Sequence, residues 1–532
     1  MKSSYIKSIM ILALVAFCDK ALAQEIVELP LSKSNKVVIE LMFRNGSICD
    51  PQGKEGLTAL TASVVAQGGT GTMSASDIKD KIYPWAADYH GSSDKEVSIF
   101  TFEVPADFLQ DFYPIVSGLI LNPSFKEEDF SRVKSNHQNY VDQLIRQSSD
   151  EEYGKKFLED MLFRGTNYQH MVSGTSEGVR SITLEDVKKH YSTFFTRNNL
   201  SIGIAGKYPE GFAQKMKADF QKLPAGTPPV PAPGKAKMPE GINVEIVAKE
   251  NALGSAISAG FPLSITRSND EFAALMVANS WLGEHRKSYS RLYQKIREAR
   301  SMNYGDYTYI EWYDNGGSNM LPPYGTPRSS NYFSIWIRPV QTAKGLKDQY
   351  EELKHINIGH AHFALRMTLK EMDELIKNGM NQDEFEKTRE FLRSYSKLYI
   401  QSLDKQLGFL MDSRFYGRKD WIKELDALLA KLTLNDVNTA IRKHWQTKNL
   451  NVVIITDKSE AEPLAQSLKN NSPSPMSYSN DLKSTLPAEI LNEDKLVESY
   501  PMPVKQVNII DSESTFRKSG MSDSKGVLKI QK

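Results

Sequence analysis

Residues able to do chemistry are few and scattered in this chain of 532 residues. His355, His360 and His362 fall within eight positions, and an H-x-H pair on a strand is a spacing that can grip a divalent metal. No acidic residue stands nearby at ligand spacing. The following run, Phe363–Lys377, reads as a helix stopped by Asn378-Gly379, which favours a structural role for the three histidines. Arg297 and Tyr304 stand seven apart. By themselves an Arg and a Tyr at that spacing carry almost no signal and read as a solvated helix face. The charged run Gln382–Arg393 reads as a solvated helix face. No Gly-rich phosphate loop, no G-x-S-x-G and no cysteine nucleophile with a helix behind it occurs in the sequence.

Length suggests about two to four domains. With 40% hydrophobic and 25% charged residues the composition is that of an ordinary globular protein. Lys+Arg 66 against Asp+Glu 65 leaves a net charge of +1, which argues against nucleic acid or a strongly anionic membrane as partner. Lys2 and Lys7 precede the apolar run Ile9–Cys18, and Ala21-Leu22-Ala23 follows. That order predicts a secretory signal peptide over 1–23, and hence an exported, periplasmic or secreted, mature chain. Cys49 would then be its only cysteine, which excludes an internal disulfide and a thiolate metal cage. No later stretch has the length and apolarity of a membrane span, so no stable membrane insertion is expected.

The elements that must position any site follow from periodicity. In Gly56–Thr70, Leu57, Leu60, Val64 and Val65 form the stripe of an amphipathic helix that Gly68-Gly69 stops. Strands are predicted at Val37–Phe43, broken only by Glu40, at Val97–Glu103, Leu200–Ala205, Ile242–Val247 and Ser255–Phe261. Helices are predicted at Ser74–Tyr83, Asp107–Leu121, Glu127–Gln147 and from Asp270 to Leu282. Residues 224–240 are rich in proline and alanine without apolar periodicity and read as a linker. The stretches 183–200 and 433–450 align without a gap, sharing T-L-x-D-V, an aromatic (Phe195, Trp445) and Asn-Leu running into a strand. A repeat at a domain-sized offset means a duplicated domain. Beyond Ser467 the composition turns to Asn, Ser, Pro and Lys; 470–486 reads as a disordered linker, and Val504–Ile510 as a short strand.

Several phrases resemble the M16 (insulinase/pitrilysin-like, mitochondrial-processing-peptidase-like) metallopeptidases. NGSICDPQGKEGL and the helix after it are similar to that family's approach to its zinc helix, whose H-x-x-E-H places two histidines and a base on one face. With Gly56, Leu57 and Thr70 matched, those motif positions hold Ala59, Ala62 and Ser63. The family's two later glutamates, the second a zinc ligand, fall on Val133 and Tyr140; a register slip of two would offer Asp142. None of these residue types at the motif positions builds a zinc site. SRLYQKIREARSMNY resembles the family's second-domain phrase, and carries its Arg and Tyr as Arg297 and Tyr304. Asn303 departs from a usual small residue, and the insertion 314–330 is longer than the family's turn.

The resemblance implies an α+β fold of two homologous M16-type (LuxS/MPP-like) domains in tandem, half of a clamshell. The expected division is 24–223, a linker 224–240, 241–466, and a partly disordered tail 467–532. It implies a non-catalytic, zinc-free subunit of an exported peptidase complex, inactive alone. Such a chain has no cofactor of its own, with zinc in a partner subunit. It binds extended peptides and lends Arg297 and Tyr304 to the partner's site, where they contact substrate and oxyanion. The alternative is a stand-alone peptide-binding or structural protein of the same fold.

Overall fold

The computed structural model describes residues 25–313 and 323–518, together with the backbone of a two-residue strand at 527–528. The expected signal segment 1–23 and residues 314–322 of the insertion lie outside the described residues.

Two sheets repeat one plan. The first comprises β1 (Ile26–Pro30), β2 (Lys36–Phe43), β3 (Asp88–Ser93), β4 (Ser98–Pro105) and β5 (Leu200–Gly206), in the order β1-β5-β2-β4-β3. The second comprises β6 (Ile242–Lys249), β7 (Gly254–Leu263), β8 (Asp306–Tyr309), β9 (Asn331–Gln341) and β10 (Leu450–Asp457), extended by β11 (Val504–Asp511) and β12 (Val527–Leu528). Its order, β12-β11-β6-β10-β7-β9-β8, is the first sheet's order with two strands added at one edge. Within the repeated five strands of each sheet, the first pairs parallel with the last (β1 with β5, β6 with β10) and the other pairings are antiparallel, while the added β11 lies parallel to β6 and antiparallel to β12. The internal repeat is therefore a repeat of topology. Its T-L-x-D-V phrase has a local cause: Thr183 and Thr433 each cap a helix whose Asp186 or Asp436 bonds back to the cap, a reciprocal capping box.

Four helices hold the halves together or carry motif positions, α1 (Leu57–Gln67), α2 (Glu127–Asn139), α3 (Asp150–Leu162) and α5 (Leu403–Phe415), while α4 (Phe272–Gly283) packs within the second half. Each half lends one of them to the other. Helix α3, from the first half, packs on β7 and β10 of the second sheet; α5, from the second half, packs on β2 and β5 of the first. This explains why β2 reads as a continuous apolar run, since both its faces are covered. Val37, Ile39, Leu41 and Phe43 enter the first core, while Val38 and Met42 meet Leu407 and Met411 of α5. Burying each such side chain stabilises the joint by about 1.5–3 kcal/mol. Gly203 on β5 permits the approach, because a Cβ there would lie 2.9 Å from the Met411 sulfur.

The stretch expected as one helix over 127–147 instead contains a π-helical turn, Tyr140–Leu144, between α2 and a last turn Ile145–Gln147. Arg146 accompanies the irregularity, donating to the carbonyls of Val141 (3.1 Å) and Asp142 (2.7 Å). The segment 470–486, expected as a disordered linker, is folded: it carries the helix Asn480–Thr485 and the buried Tyr478. Composition misled here because Arg366, buried in the helix Ala361–Asn378, gathers the carbonyls of Asn471, Ser472 and Glu498 and binds this polar stretch to the core. The strand expected at 504–510 is β11, paired parallel with β6.

Candidate functional site

Helix α1 starts where Asp50 accepts from the Gly56 N–H (2.7 Å), the Thr58 N–H (2.7 Å) and the Thr58 hydroxyl (2.6 Å), tying up the free amides of its first turn. Gly56 takes φ +103, the left-handed region open to glycine. The helix ends at Gly68, whose N–H reaches the Val64 carbonyl at 2.9 Å. It is buried almost all round, so its motif positions are packing positions. Ala59 is 7% exposed and Ala62 is fully buried in the first core; Ser63 is half-buried.

Opposite Ser63 stands a residue that sequence reading missed. His137 on α2 brings Nε2 to 3.1 Å from the Ser63 hydroxyl oxygen. Burial holds the imidazole's pKa at about 4, so it is neutral at pH 7. Its Nδ1 is buried and meets no hydrogen-bond partner among the described residues. The direction of the contact follows the tautomer: with the ring proton on Nε2, His137 donates to Ser63, and with it on Nδ1, the Ser63 hydroxyl donates to Nε2. The signal for this contact was its position: His137 lies four residues after Val133 and three before Tyr140, on one helix face.

Tyr140 occupies the π-helical turn and donates its hydroxyl to Glu152 Oε1 at 2.8 Å. Val133 is buried in a cluster with Leu57, Leu60 and Val64 of α1. Asp142, the alternative by a slip of two, accepts from Gln138 (2.8 Å) and pairs with Arg180 (3.4 Å). Two methyl groups, an alcohol, an isopropyl group and a phenol do not fit a zinc ion. No group of three or more His, Cys, Asp or Glu among the described residues is placed to hold a metal. The three histidines noted in the sequence diverge. His355 Nδ1 lies 3.0 Å from the Glu352 carbonyl, His360 Nε2 2.9 Å from that of Ser477, and His362 Nδ1 2.9 Å from the Ser467 hydroxyl.

Arg297 and Tyr304 are brought together. Arg297 rides a π-helical turn, Tyr293–Glu298, and its guanidinium carbon lies 5.6 Å from the centroid of the Tyr304 ring. That is a cation–π contact. Arg297 is half-buried, whereas Tyr304 is 76% exposed, so the stack presents a phenol to solvent. The loop beneath is stitched by Asn303, the residue that departs from the family phrase. Its amide donates to Asp306 Oδ1 (2.7 Å) and the Arg338 carbonyl (3.0 Å), and its oxygen accepts from the Gly305 N–H (3.0 Å). A small residue there would leave that turn unsupported.

The described end of the insertion joins the halves. Arg328 is buried and grips both oxygens of Asp94 (2.6 and 2.7 Å) and Glu159 of α3 (2.6 Å). The Gly325 N–H reaches Asp412 of α5 at 3.0 Å, and the Tyr324 hydroxyl reaches Asp404 at 3.1 Å. Residues 323–330 are thus fastened to the first half through Arg328 and to α5 of the second half through Tyr324 and Gly325.

Residues 181–392 match the model of the peptidase M16 inactive domain. The chain is 21% identical over 434 residues to the non-peptidase homolog YmxG of Helicobacter pylori, covering 79% of this chain and 89% of that protein. Its fold is similar to the crystal structure of a peptidase M16 inactive domain from Pseudomonas fluorescens, with a TM-score of 0.67 at 18% identity over 81% of this chain and 95% of that one. It also resembles the periplasmic protease PqqL of Escherichia coli, with a TM-score of 0.61 at 14% identity over 80% of this chain and 43% of that longer one.

Proposed function

We propose that this chain, whose residues 181–392 match the peptidase M16 inactive domain, is the zinc-free subunit of an exported M16-type peptidase complex. It binds extended peptides and donates Arg297 and Tyr304 to the site of a zinc-bearing partner. One contrast carries this reading: the metal-motif face of α1 is packed with groups that cannot ligate, while the Arg297–Tyr304 stack turns a cation and a phenol outward. Positioned donors of that kind stabilise the oxyanion formed when a peptide bond is attacked. Peptide binding has support of its own. Among the described residues β3 is the outer strand of the first sheet, pairs on one side only with β4, and lies against α1. An unpaired strand edge accepts an extended chain through main-chain hydrogen bonds. No helix among the described residues is long and apolar enough to cross a membrane.

The test is turnover of the complex reconstituted with a zinc-bearing M16 chain, with association followed separately by light scattering. Arg297→Ala or Tyr304→Phe lowers kcat by about 10²–10³ while the complex still forms, the usual loss on removing an oxyanion donor. Wild-type turnover by both variants would refute the contribution in trans and favour a passive peptide-binding or assembly protein.

A further inference from the structure

The place of the Tyr304 phenol is set by its backbone. The ring is 76% exposed, so packing does little to fix it. It hangs from the turn 301–305, two of whose residues lie at positive φ, Ser301 at +53 and Gly305 at +148.

That turn ends where the β8–β9 ladder begins. The register pairs Asp306 with Ile337, so Gly305 stands one step earlier, opposite Arg338. In an antiparallel ladder such a pair exchanges two bonds, N–H to C=O each way. Here the Arg338 N–H donates to the Gly305 carbonyl at 3.3 Å, but the Gly305 N–H goes elsewhere. It donates to the Asn303 amide oxygen at 3.0 Å, and the Asn303 nitrogen donates to the Arg338 carbonyl at 3.0 Å. The side-chain amide is thus spliced into the last rung in place of its second bond. The remaining donor of Asn303 reaches Asp306 Oδ1 at 2.7 Å on β8 itself. One orientation of the amide satisfies all three bonds, and the side chain is buried.

The splice holds the peptide unit that follows Tyr304 at both edges. Asn303 takes its N–H, that of Gly305, and its C=O accepts from the Tyr307 hydroxyl at 3.4 Å. A Cβ at 305 would stand 2.2 Å from that hydroxyl oxygen, so the close approach requires glycine. Arg338 is in turn tied to the first half of the chain. Its Nε donates at 2.7 Å to Glu151, in the first turn of α3.

We propose that Asn303 is a positioning residue for Tyr304: by standing in for one rung bond it sets where the phenol is presented. The Glu151–Arg338 pair fixes that place relative to the first half. The inference rests on the contribution of Tyr304 in trans, and the experiment separates the two. An asparagine that only ended a strand would affect stability and leave the chemical step alone.

The complex reconstituted with a zinc-bearing M16 chain is assayed for kcat and KM with Asn303→Ala, Tyr304→Phe and the double variant. Asn303→Ala lowers kcat about ten- to a hundredfold and moves KM by less than about twofold, the pattern of a donor misplaced by about 1 Å. In the Tyr304→Phe background the same substitution costs less than about twofold, because no hydroxyl is left to position. Glu151→Gln loosens the brace from outside the turn. It lowers kcat about two- to fivefold, a loss that also vanishes with Tyr304→Phe. Thermal melts and light scattering establish that each variant folds and associates. Should Asn303→Ala not fold, the two Glu151→Gln measurements decide by the same criterion. If Asn303→Ala turns over as wild type while Tyr304→Phe is slow, or if it costs the same in both backgrounds, the positioning role is overturned and the contribution in trans stands. If Tyr304→Phe turns over at the wild-type rate, both fall.

Discussion

Replacing Glu40 by methionine should make this protein more stable at neutral pH. Glu40 lies mid-strand on β2, fully buried, and neither carboxyl oxygen meets a hydrogen-bond partner among the described residues. It stands between Thr101 on β4 and Gly203 on β5, on the strand face that carries Val38 and Met42 and packs against α5. Burial raises its pKa well above the carboxylate range, and the charges of Asp412 and Asp404 raise it further. In the unfolded chain the same carboxyl titrates near 4.3. A group whose folded pKa is raised contributes its stability in full below the unfolded value. That contribution is lost as pH rises from about 4.3 toward the folded pKa. At pH 7 the folded protein therefore holds a proton that the unfolded chain has released, and leaves a buried polar group unpaired. The second cost alone is about 1–3 kcal/mol. Glu40→Met removes both at similar volume and adds an apolar contact to Leu407 and Met411. The expected gain is about 1–3 kcal/mol, or roughly 2–4 °C in Tm per kcal/mol for domains of this size. Calorimetry of wild type, Glu40→Met and Glu40→Gln at pH 5, 7 and 9 checks it. Wild type loses stability across this range relative to both variants, and Glu40→Gln flattens the slope with a smaller gain because its amide is still unpaired. A slope between about pH 4 and pH 7 persists in all three and flattens above it, since burial raises Asp412 to about 7. A methionine variant less stable than wild type at pH 7, with an unchanged slope, would refute the reasoning by showing that the carboxyl has a partner.

Rebuilding the helix motif with Ala59→His, Ala62→Glu and Ser63→His should give weak zinc binding and no appreciable peptidase activity. Tyr140 still denies a third ligand, and the added bulk at Ala59 and Ala62 overpacks the core by about 1–3 kcal/mol. Metal analysis after mild chelation checks this; one zinc per chain with peptide cleavage would show the ligand placement to be wrong. Arg146→Ala should release the end of the tail, because the buried guanidinium bonds the Ser512 carbonyl (2.9 Å), the Thr515 carbonyl and the π-helical turn. The loss should be about 3 kcal/mol or more, with hydrogen exchange rising first in 512–518; unchanged exchange there would refute the clasp.

Some properties of this protein depend only on residue identity or on neighbours in the chain. Alanine cannot ligate a metal in any geometry, so Ala59 and Ala62 speak for themselves. The Thr183 and Thr433 boxes close within four residues, and the repeat they mark was visible before the two sheets were. What the tertiary structure decided runs across long separations. His137 meets Ser63 from 74 positions away, and Arg328 reaches Asp94 across 234. The exchange of α3 and α5 between halves left no sequence mark beyond the apolarity of β2, because packing partners are chosen by shape and burial after the chain has folded back on itself. The tail shows the same limit. Its polar composition predicted disorder, yet Arg146 and Arg366, each far from it in sequence, supply the donors that its carbonyls needed to leave water.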